Sequence, residues 1–272
     1  MSSLPVLHPS VDASAEQIRD VADHGHTVVR GLASVAEVDV FRPAIEKAVR
    51  NATATTRALD DRDTYGKAFL QVPNLCFADA VARAFTFAPR FAKVAAQLLG
   101  VDGVRLYHDQ ALFKEPRGGH TPWHQDQTYW PLDTDRTITM WMPLVDVPAE
   151  VGSMTFVDGS HLQGSLGGWV IGDESQVRFE EMVVARGFST STHGAMRAGD
   201  ATFHTGWTLH RAPGNPTDLL RSVMTIIYVA DGTRVGPVDS GFRAFDQQLW
   251  LGGAQPGELV GGPGNPLLWP SS

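Results

Sequence analysis

Val104-Arg-Leu-Tyr-His-Asp-Gln-Ala-Leu-Phe113, then the turn Gly118-Gly119, then Thr121-Pro-Trp-His-Gln-Asp126: this stretch decides how the chain reads. Its first part is a β-type run. From Val101 onward such runs recur, at 104–113, 137–144, 153–157, 201–204 and 221–229, separated by Gly, Pro and Asp turns. Many short strands with turn punctuation predict a sandwich or barrel.

Upstream the pattern is helical. Ser14-Ala-Glu-Gln17 and Ser34-Val-Ala-Glu37 are capping boxes, each opening an apolar stripe at helical spacing. Gly25 is placed to stop the first helix, and 27–30 reads as a short strand. Residues 77–85 and 89–99 predict two more helices, with Gly100 as a stop. Residues 161–198 read as an irregular insertion of the lid or binding-loop kind, and 233–272 as a loosely structured Gly/Pro-rich tail. No Pro/Gly-rich linker divides 1–100 from 101–232. The expectation is a single domain over 1–272, with a mainly helical N-terminal layer against a β core.

Composition narrows the function classes. The net charge of −8 argues against a non-specific nucleic-acid or anionic-membrane binder. The single cysteine, Cys76, rules out an intrachain disulfide or a cysteine-built zinc or iron–sulfur site, and its apolar surroundings predict a buried, inert thiol. Residues 1–12 lack a basic stretch followed by an apolar one, and no apolar run approaches the ~20 residues of a membrane span. A cytoplasmic protein is expected. Without a heptad pattern, a monomer is expected too.

His-x-Asp alone carries little information. Here it follows a glycine turn after a strand, and residues i and i+2 of an extended segment share a face, so His124 and Asp126 converge while Gln125 turns away. His210 ends another β-type run, and a closed sheet can bring it alongside. Taken singly, each reads as an ordinary surface or core side chain. Together, two imidazoles and a carboxylate are the ligand set of a mononuclear iron site with three open positions. Arg221, eleven residues after His210, starts an apolar run where a lone charge needs a purpose. A guanidinium fork suits a dicarboxylate cosubstrate. A 2-oxo acid would fill two open positions and dioxygen the third. The carboxylate ligand argues against halogenation, which needs a small residue there.

The ordered set His108-Asp-Gln-Ala-Leu-Phe-Lys-Glu-Pro116, Thr121-Pro-Trp-His-Gln-Asp126, Tyr129-Trp-Pro131, Thr139-Met-Trp-Met-Pro-Leu144, Gly152-Ser-Met-Thr-Phe-Val-Asp-Gly-Ser-His161 and His210-Arg-Ala-Pro-Gly-Asn215 with Arg221 resembles the phytanoyl-CoA dioxygenase family of Fe(II)/2-oxoglutarate oxygenases. The resemblance covers roughly residues 14–232. It implies a double-stranded β-helix (jelly roll, cupin-like) core with flanking helices, mainly β overall. It also implies iron held by His124, Asp126 and His210, with 2-oxoglutarate and dioxygen as co-reactants, ascorbate as a candidate reductant, and Arg221 on the distal carboxylate. Trp141 matches a family tryptophan near the cosubstrate, and Lys67 falls near a lysine that some members use. Gln110, by strand alternation, and Thr139, as a hydroxyl donor, are further cosubstrate candidates. Ala212 departs from the pattern, since many members carry a small hydroxyl residue there. His161 is a structural turn element, and His204 reads as structural or pocket-lining.

The family does not fix the substrate. Phe69, Trp123, Tyr129, Trp130 and Trp207 are candidates for an aromatic pocket around a bulky hydrophobic small molecule, although some of them read equally well as core. No basic cluster suits a coenzyme A diphosphate. Hydroxylation of an unactivated C–H in secondary-metabolite tailoring is therefore the expectation. Ring closure, epimerisation or desaturation, an acyl-CoA hydroxylase, and a non-catalytic cupin-like binding or sensor protein are the alternatives.

Overall fold

The computed structural model describes residues 4–270 apart from Gly152; that residue, which opens the 152–161 motif, lies outside the described residues, as do 1–3 and 271–272. Helix α1 (Ala15–His24) starts at the Ser14/Gln17 capping box, with both reciprocal hydrogen bonds made, and stops at Gly25. Gly25 has φ 87°, and a Cβ there would also lie 2.5 Å from His161 Nδ1 and Thr208 Oγ1. Strand β1 (His26–Val29) follows. Helix α2 (Val35–Ala52) starts at the second capping box and buries Val38, Phe41, Ile45 and Val49 on one face.

Next come α3 (Thr64–Ala68), β2 (Leu70–Pro73), α4 (Leu75–Ala78), α5 (Ala80–Thr86) and α6 (Pro89–Leu99). The single helix expected over 77–85 is instead two short ones. Asp79 is extended, and its carboxylate accepts from Val81 and Ala82 N–H at 2.8 and 2.9 Å, so a new helix starts there.

The β core comprises β3 (Val104–Phe113), β4 (Thr121–His124), β5 (Thr137–Pro143), β6 (Thr155–Val157), β7 (Thr190–Thr192), β8 (Ala201–Thr205), β9 (His210–Ala212), β10 (Val223–Ala230) and β11 (Leu267–Trp269). One antiparallel sheet runs β1-β8-β5-β10-β3-β11, with β2 also on β3; the other runs β4-β9-β6-β7. These are the two sheets of a jelly roll.

Register sorts the large sheet into two faces, because directly paired residues point the same way. Met224, Met142 and Ala111 pair across one row, and Ile226, Met140 and Phe203 across the next. All are buried with Phe41, Phe85 and Phe91 in the core under the helical layer. Each of the methionine, isoleucine and phenylalanine side chains among them contributes roughly 1.5–3 kcal/mol by burial. The alternate residues, among them Thr139, Trp141, His204, Thr225 and Gln110, face the inside of the roll.

Two segments are more ordered than the sequence suggested. The 161–198 insertion contains helix α7 (Asp173–Arg186), which has acidic residues in its first turn, a left-handed Gly187 stop and a buried Phe179. The 233–272 tail contains helix α8 (Gly241–Trp250) as well as β11. Trp250 stacks on His108, with ring centres 3.9 Å apart. Glycine and proline punctuate these segments, but the elements between them still have apolar surface to bury. No helix among the described residues is long and apolar enough to cross a membrane.

The Arg90 guanidinium joins α6 to α2 through both Glu37 carboxylate oxygens at 3.0 Å, which holds that carboxyl down at about 2, with help from Ser34. A depressed folded-state value gives stability that is present above the ordinary carboxylate value and lost as pH falls through about 2. In urea unfolding, the stability gap between wild type and Glu37→Gln is expected to be widest above pH 5 and to close towards pH 2. A gap that stays constant across that range would show that the pair does not act through its charge.

Candidate metal centre

The core strands and the segment after β4 bring three sequence candidates together. His124 ends β4, Asp126 opens the short 3-10 turn that follows, and His210 begins β9, paired directly with His124. Their ligand atoms lie within 4.8 Å of one another. Asp126 Oδ1 is 3.4 Å from His124 Nε2 and 3.9 Å from His210 Nε2.

Tautomers follow from the second ring nitrogens. His124 Nδ1 lies 2.9 Å from the Pro122 carbonyl, and His210 Nδ1 lies 2.9 Å from the Thr208 carbonyl. A carbonyl only accepts, so each Nδ1 carries the hydrogen and each Nε2 presents a lone pair. Burial, with His124 and His204 nearby, keeps His210 well below its ordinary value and hence neutral. Burial pushes the Asp126 carboxyl up, but His210, His124 and His204 outweigh it and leave the group ionised. Two neutral imidazoles and one carboxylate converge on a single point, and this donor set fits a divalent iron with open positions.

The remaining carboxylate oxygen, Asp126 Oδ2, accepts from Thr139 Oγ1 at 3.1 Å and lies 3.3 Å from His204 Nε2. Thr139, expected near the cosubstrate, holds the carboxylate through this bond. His204 orients it too, a role its sequence context did not signal; the register that pairs it with Thr139 does. Gln125 turns away as expected. Its amide donates to Gly164 O and Trp207 O and accepts from Leu166 N–H, which pins the start of the insertion and the loop before β9 behind the metal segment.

Farther along the inner face, Arg221 is 3% exposed, and its guanidinium carbon is 5.4 Å from the centre of the Trp141 ring. Burial lowers its value to about 10, so it stays charged at neutral pH. Lys114, which the sequence did not single out, exchanges both backbone hydrogen bonds with Arg221 at 3.0 Å and is fully buried. Burial and the neighbouring Arg221 pull its ammonium down to about 6. A carboxylate bound between these two cations would reverse that cost.

The other candidates separate. Gln110 accepts from the Gln71 amide, which accepts in turn from Tyr65 Oη, forming a polar chain on the inner face. Lys67 is half-buried, and its carbonyl accepts from Gly119 N–H in the turn before β4. Phe69 packs edge-on against Tyr65, and Lys114 Nζ sits 5.8 Å from its ring. Tyr129 packs edge-on against Phe242 of α8 and accepts from Ile171 N–H, while Trp130 packs against Tyr107. Trp207 is half-buried. Trp123, proposed for the pocket, packs with Leu166, Phe179 and Leu209 on the outer face of the small sheet, beneath α7. Cys76 is buried behind β3, its thiol pushed up by burial and by Asp109.

Removing the groups that orient a ligating carboxylate typically costs 10–100-fold in metal affinity. His204→Ala and Thr139→Val are each expected to weaken anaerobic Fe(II) binding, measured calorimetrically, by about that factor. Unchanged affinity in both would show that Asp126 needs neither.

Comparison with known proteins agrees with this geometry. Over 155 residues the chain is 27% identical to a probable alpha-ketoglutarate-dependent hypophosphite dioxygenase of Stutzerimonas stutzeri; the match covers 54% of this chain and 53%, about half, of that protein. Among solved structures it resembles the non-heme alpha ketoglutarate dependent carbocyclase SnoK from nogalamycin biosynthesis, with a TM-score of 0.74 at 26% identity over 94% of this chain and 96% of that one. It also resembles the epimerase SnoN in complex with Fe3+, alpha ketoglutarate and nogalamycin RO, with a TM-score of 0.72 at 28% identity over 93% and 97%. Residues 21–223, which hold the three converging side chains and Arg221, match phytanoyl-CoA dioxygenase, and the chain belongs to that family of iron- and 2-oxoglutarate-dependent dioxygenases.

Proposed function

We propose that this protein oxidises an unactivated C–H of a bulky, hydrophobic small molecule in secondary-metabolite tailoring, with hydroxylation as the first expectation. The observation that carries the reading is the convergence of His124, Asp126 and His210 on one point, with Arg221 buried farther along the same inner face. Iron, 2-oxoglutarate and dioxygen together supply an oxidant able to take a hydrogen atom from a saturated carbon.

The chain's own residues do the rest. His124, Asp126 and His210 would hold the metal, with Nδ1–H bonds to backbone carbonyls fixing both rings. Thr139 and His204 hold Oδ2, so that Oδ1 faces the metal. Arg221 would take the distal carboxylate in a fork, with Trp141 under its guanidinium. Trp141 and Gln110 would line the cosubstrate space, and Lys67 would back it from the Gly118-Gly119 turn. Phe69, Tyr129, Trp130 and Trp207 would present apolar surface to the substrate. Trp123 supports α7 in this reading and leaves the substrate wall to the others.

A second reading, ring closure or epimerisation with the same cofactors, is favoured by the whole-chain likeness to the carbocyclase SnoK and the epimerase SnoN. The substrate's position relative to the metal decides between these outcomes. An acyl-CoA substrate finds less support, because the cations near the centre, Lys114 and Arg221, are buried and form no exposed diphosphate cradle.

Anaerobic addition of Fe(II) and 2-oxoglutarate is expected to give the weak visible charge-transfer band of the chelate, absent in His124→Ala and Arg221→Ala. Succinate release should then be driven by polycyclic metabolites and not by acyl-CoA thioesters or hypophosphite. Product mass separates the chemistry: one added oxygen for hydroxylation, loss of two hydrogens for ring closure or desaturation, no change for epimerisation. Iron binding without the band would remove the 2-oxo acid from the reading and favour a cupin-like binding protein.

A further inference from the structure

Helix α8 carries an acid on its buried face. Phe242, Asp246 and Trp250 stand four residues apart along one stripe of the helix, and Asp246 is 8% exposed. Among the described residues no cation is paired with it, and its one hydrogen bond is with the Trp250 side chain. Arg243, three residues earlier, instead donates to Thr128 O at 3.3 Å and to Asp239 at 3.2 Å. Burial pushes the Asp246 carboxyl up to about 7, against the Trp250 bond. A carboxylate among aromatic rings without a counter-ion is disfavoured, and a cation supplied from outside would offset that cost.

A second unsatisfied group lies beside it. In β3, His108 pairs with Ile227 and Leu106 with Tyr228, so Tyr107 is the extra residue of a bulge. It thereby escapes the alternation that would send it into the core under the helices, and packs inside the roll with Ile227, Trp130 and Trp250. Its ring meets Trp130 edge-on, with centres 5.4 Å apart. Tyr107 is 1% exposed, yet its hydroxyl has no hydrogen-bond partner. Burial and then Asp246 push that phenol up, so the carboxylate lies within electrostatic reach of the hydroxyl without bonding to it.

One tyrosine separates this acid from the metal centre. Burial, Asp126 and Asp246 push Tyr129 up to about 12, against its bond from Ile171. The two carboxylates thus act on the same phenol, whose ring packs against Phe242 of α8. His108, under Trp250, shares its row with Ile227 and Thr139, and Thr139 holds Asp126. The acid therefore stands at the end of the metal's own layer, where α8 covers the roll.

We propose that Asp246, Tyr107, Trp130 and Trp250 form a recognition site for a protonated alkylamine carried by the substrate. An ammonium brings three donors and no acceptor, which suits a carboxylate beside an unpartnered hydroxyl oxygen. Its charge is drawn to the faces of tryptophan and tyrosine rings, most strongly where water is excluded. A neutral alcohol would satisfy the Tyr107 hydroxyl and leave the acid uncompensated. This inference deepens the proposed function and rests on it: the bulky substrate bears a basic nitrogen, and holding that nitrogen at α8 fixes which carbon meets the metal's open side.

The test is calorimetry on the Fe(II)- and 2-oxoglutarate-loaded protein, kept anaerobic, with (naphthylmethyl)amine and its neutral counterpart naphthylmethanol as probes. Wild type is expected to bind the amine about tenfold more tightly than the alcohol, as hydrogen bonds to a charged group allow. Asp246→Asn keeps the shape and an acceptor for Trp250, and should bind the two probes alike. Tyr107→Phe keeps the ring and should weaken amine binding about threefold.

Equal affinity of wild type for the two probes, or no binding of the amine, overturns the inference. So does an amine preference that survives in Asp246→Asn, since the net charge of −8 would then account for it. The charge-transfer band of the chelate, recorded in the same sample, separates the two levels. The band without an amine preference removes the ammonium site alone; an amine preference without the band removes the oxygenase reading and leaves the site standing. Asp246→Ala reads the same loss should the asparagine variant not fold.

Discussion

Asp126 carries a negative charge into a site shielded from solvent, where an isolated carboxylate would be strongly disfavoured, and the groups around it are those that make the charge tolerable. Two imidazoles flank one oxygen, and a hydroxyl and a third imidazole hold the other. Each comes from a different strand, so the sheets must close before any of them is in place. The geometry around this one carboxylate therefore sets strand order and register, and the helical layer serves to bury the back of the sheet that supplies Thr139 and His204. A second charge, on Arg221, is treated differently: it lies over an aromatic ring beside another buried cation, an arrangement that favours an anionic guest.

Much of this was legible before any coordinates, for definite reasons. Capping boxes at Ser14 and Ser34 are local chemistry, and both helices start where those residues say. The pairing of His124 with Asp126 rests on strand periodicity, and the resemblance tied them to His210 and Arg221 in order. What escaped was non-local. His204 has no distinctive neighbours in sequence; its contact with Asp126 exists because β8 lies beside β5. Lys114 matters through its cross-strand pairing with Arg221, which leaves no compositional trace. Trp123 has the composition of a pocket residue, but it stands next to His124 in β4, and strand alternation turns it outward. Helices α7 and α8 were missed because glycine and proline around them masked short amphipathic stretches whose burial only the assembled roll provides.

The large sheet illustrates how one strand serves two masters. Along β5 and β10 every residue is buried, so no hydrophobic alternation is visible, yet the two faces differ in kind. One face is methionine and isoleucine, with Tyr228, against helices. The other interleaves threonine and tryptophan with valine and isoleucine around the cavity. Burial alone does not distinguish them; pairing does.

Strand order has a further consequence, for how the molecule comes into being. The first strand, His26–Val29, pairs with Ala201–Thr205, and the long strand at 104–113 takes partners from residues 70–73, 223–230 and 267–269. No contiguous half of the polypeptide contains the finished large sheet. Contacts of such long sequence separation make for slow folding, because the entropy of closing large loops is lost before the ladder repays it. A chain emerging residue by residue must keep its early strands open until the later ones arrive, and the three residues that would hold iron are all present only after synthesis has passed residue 210.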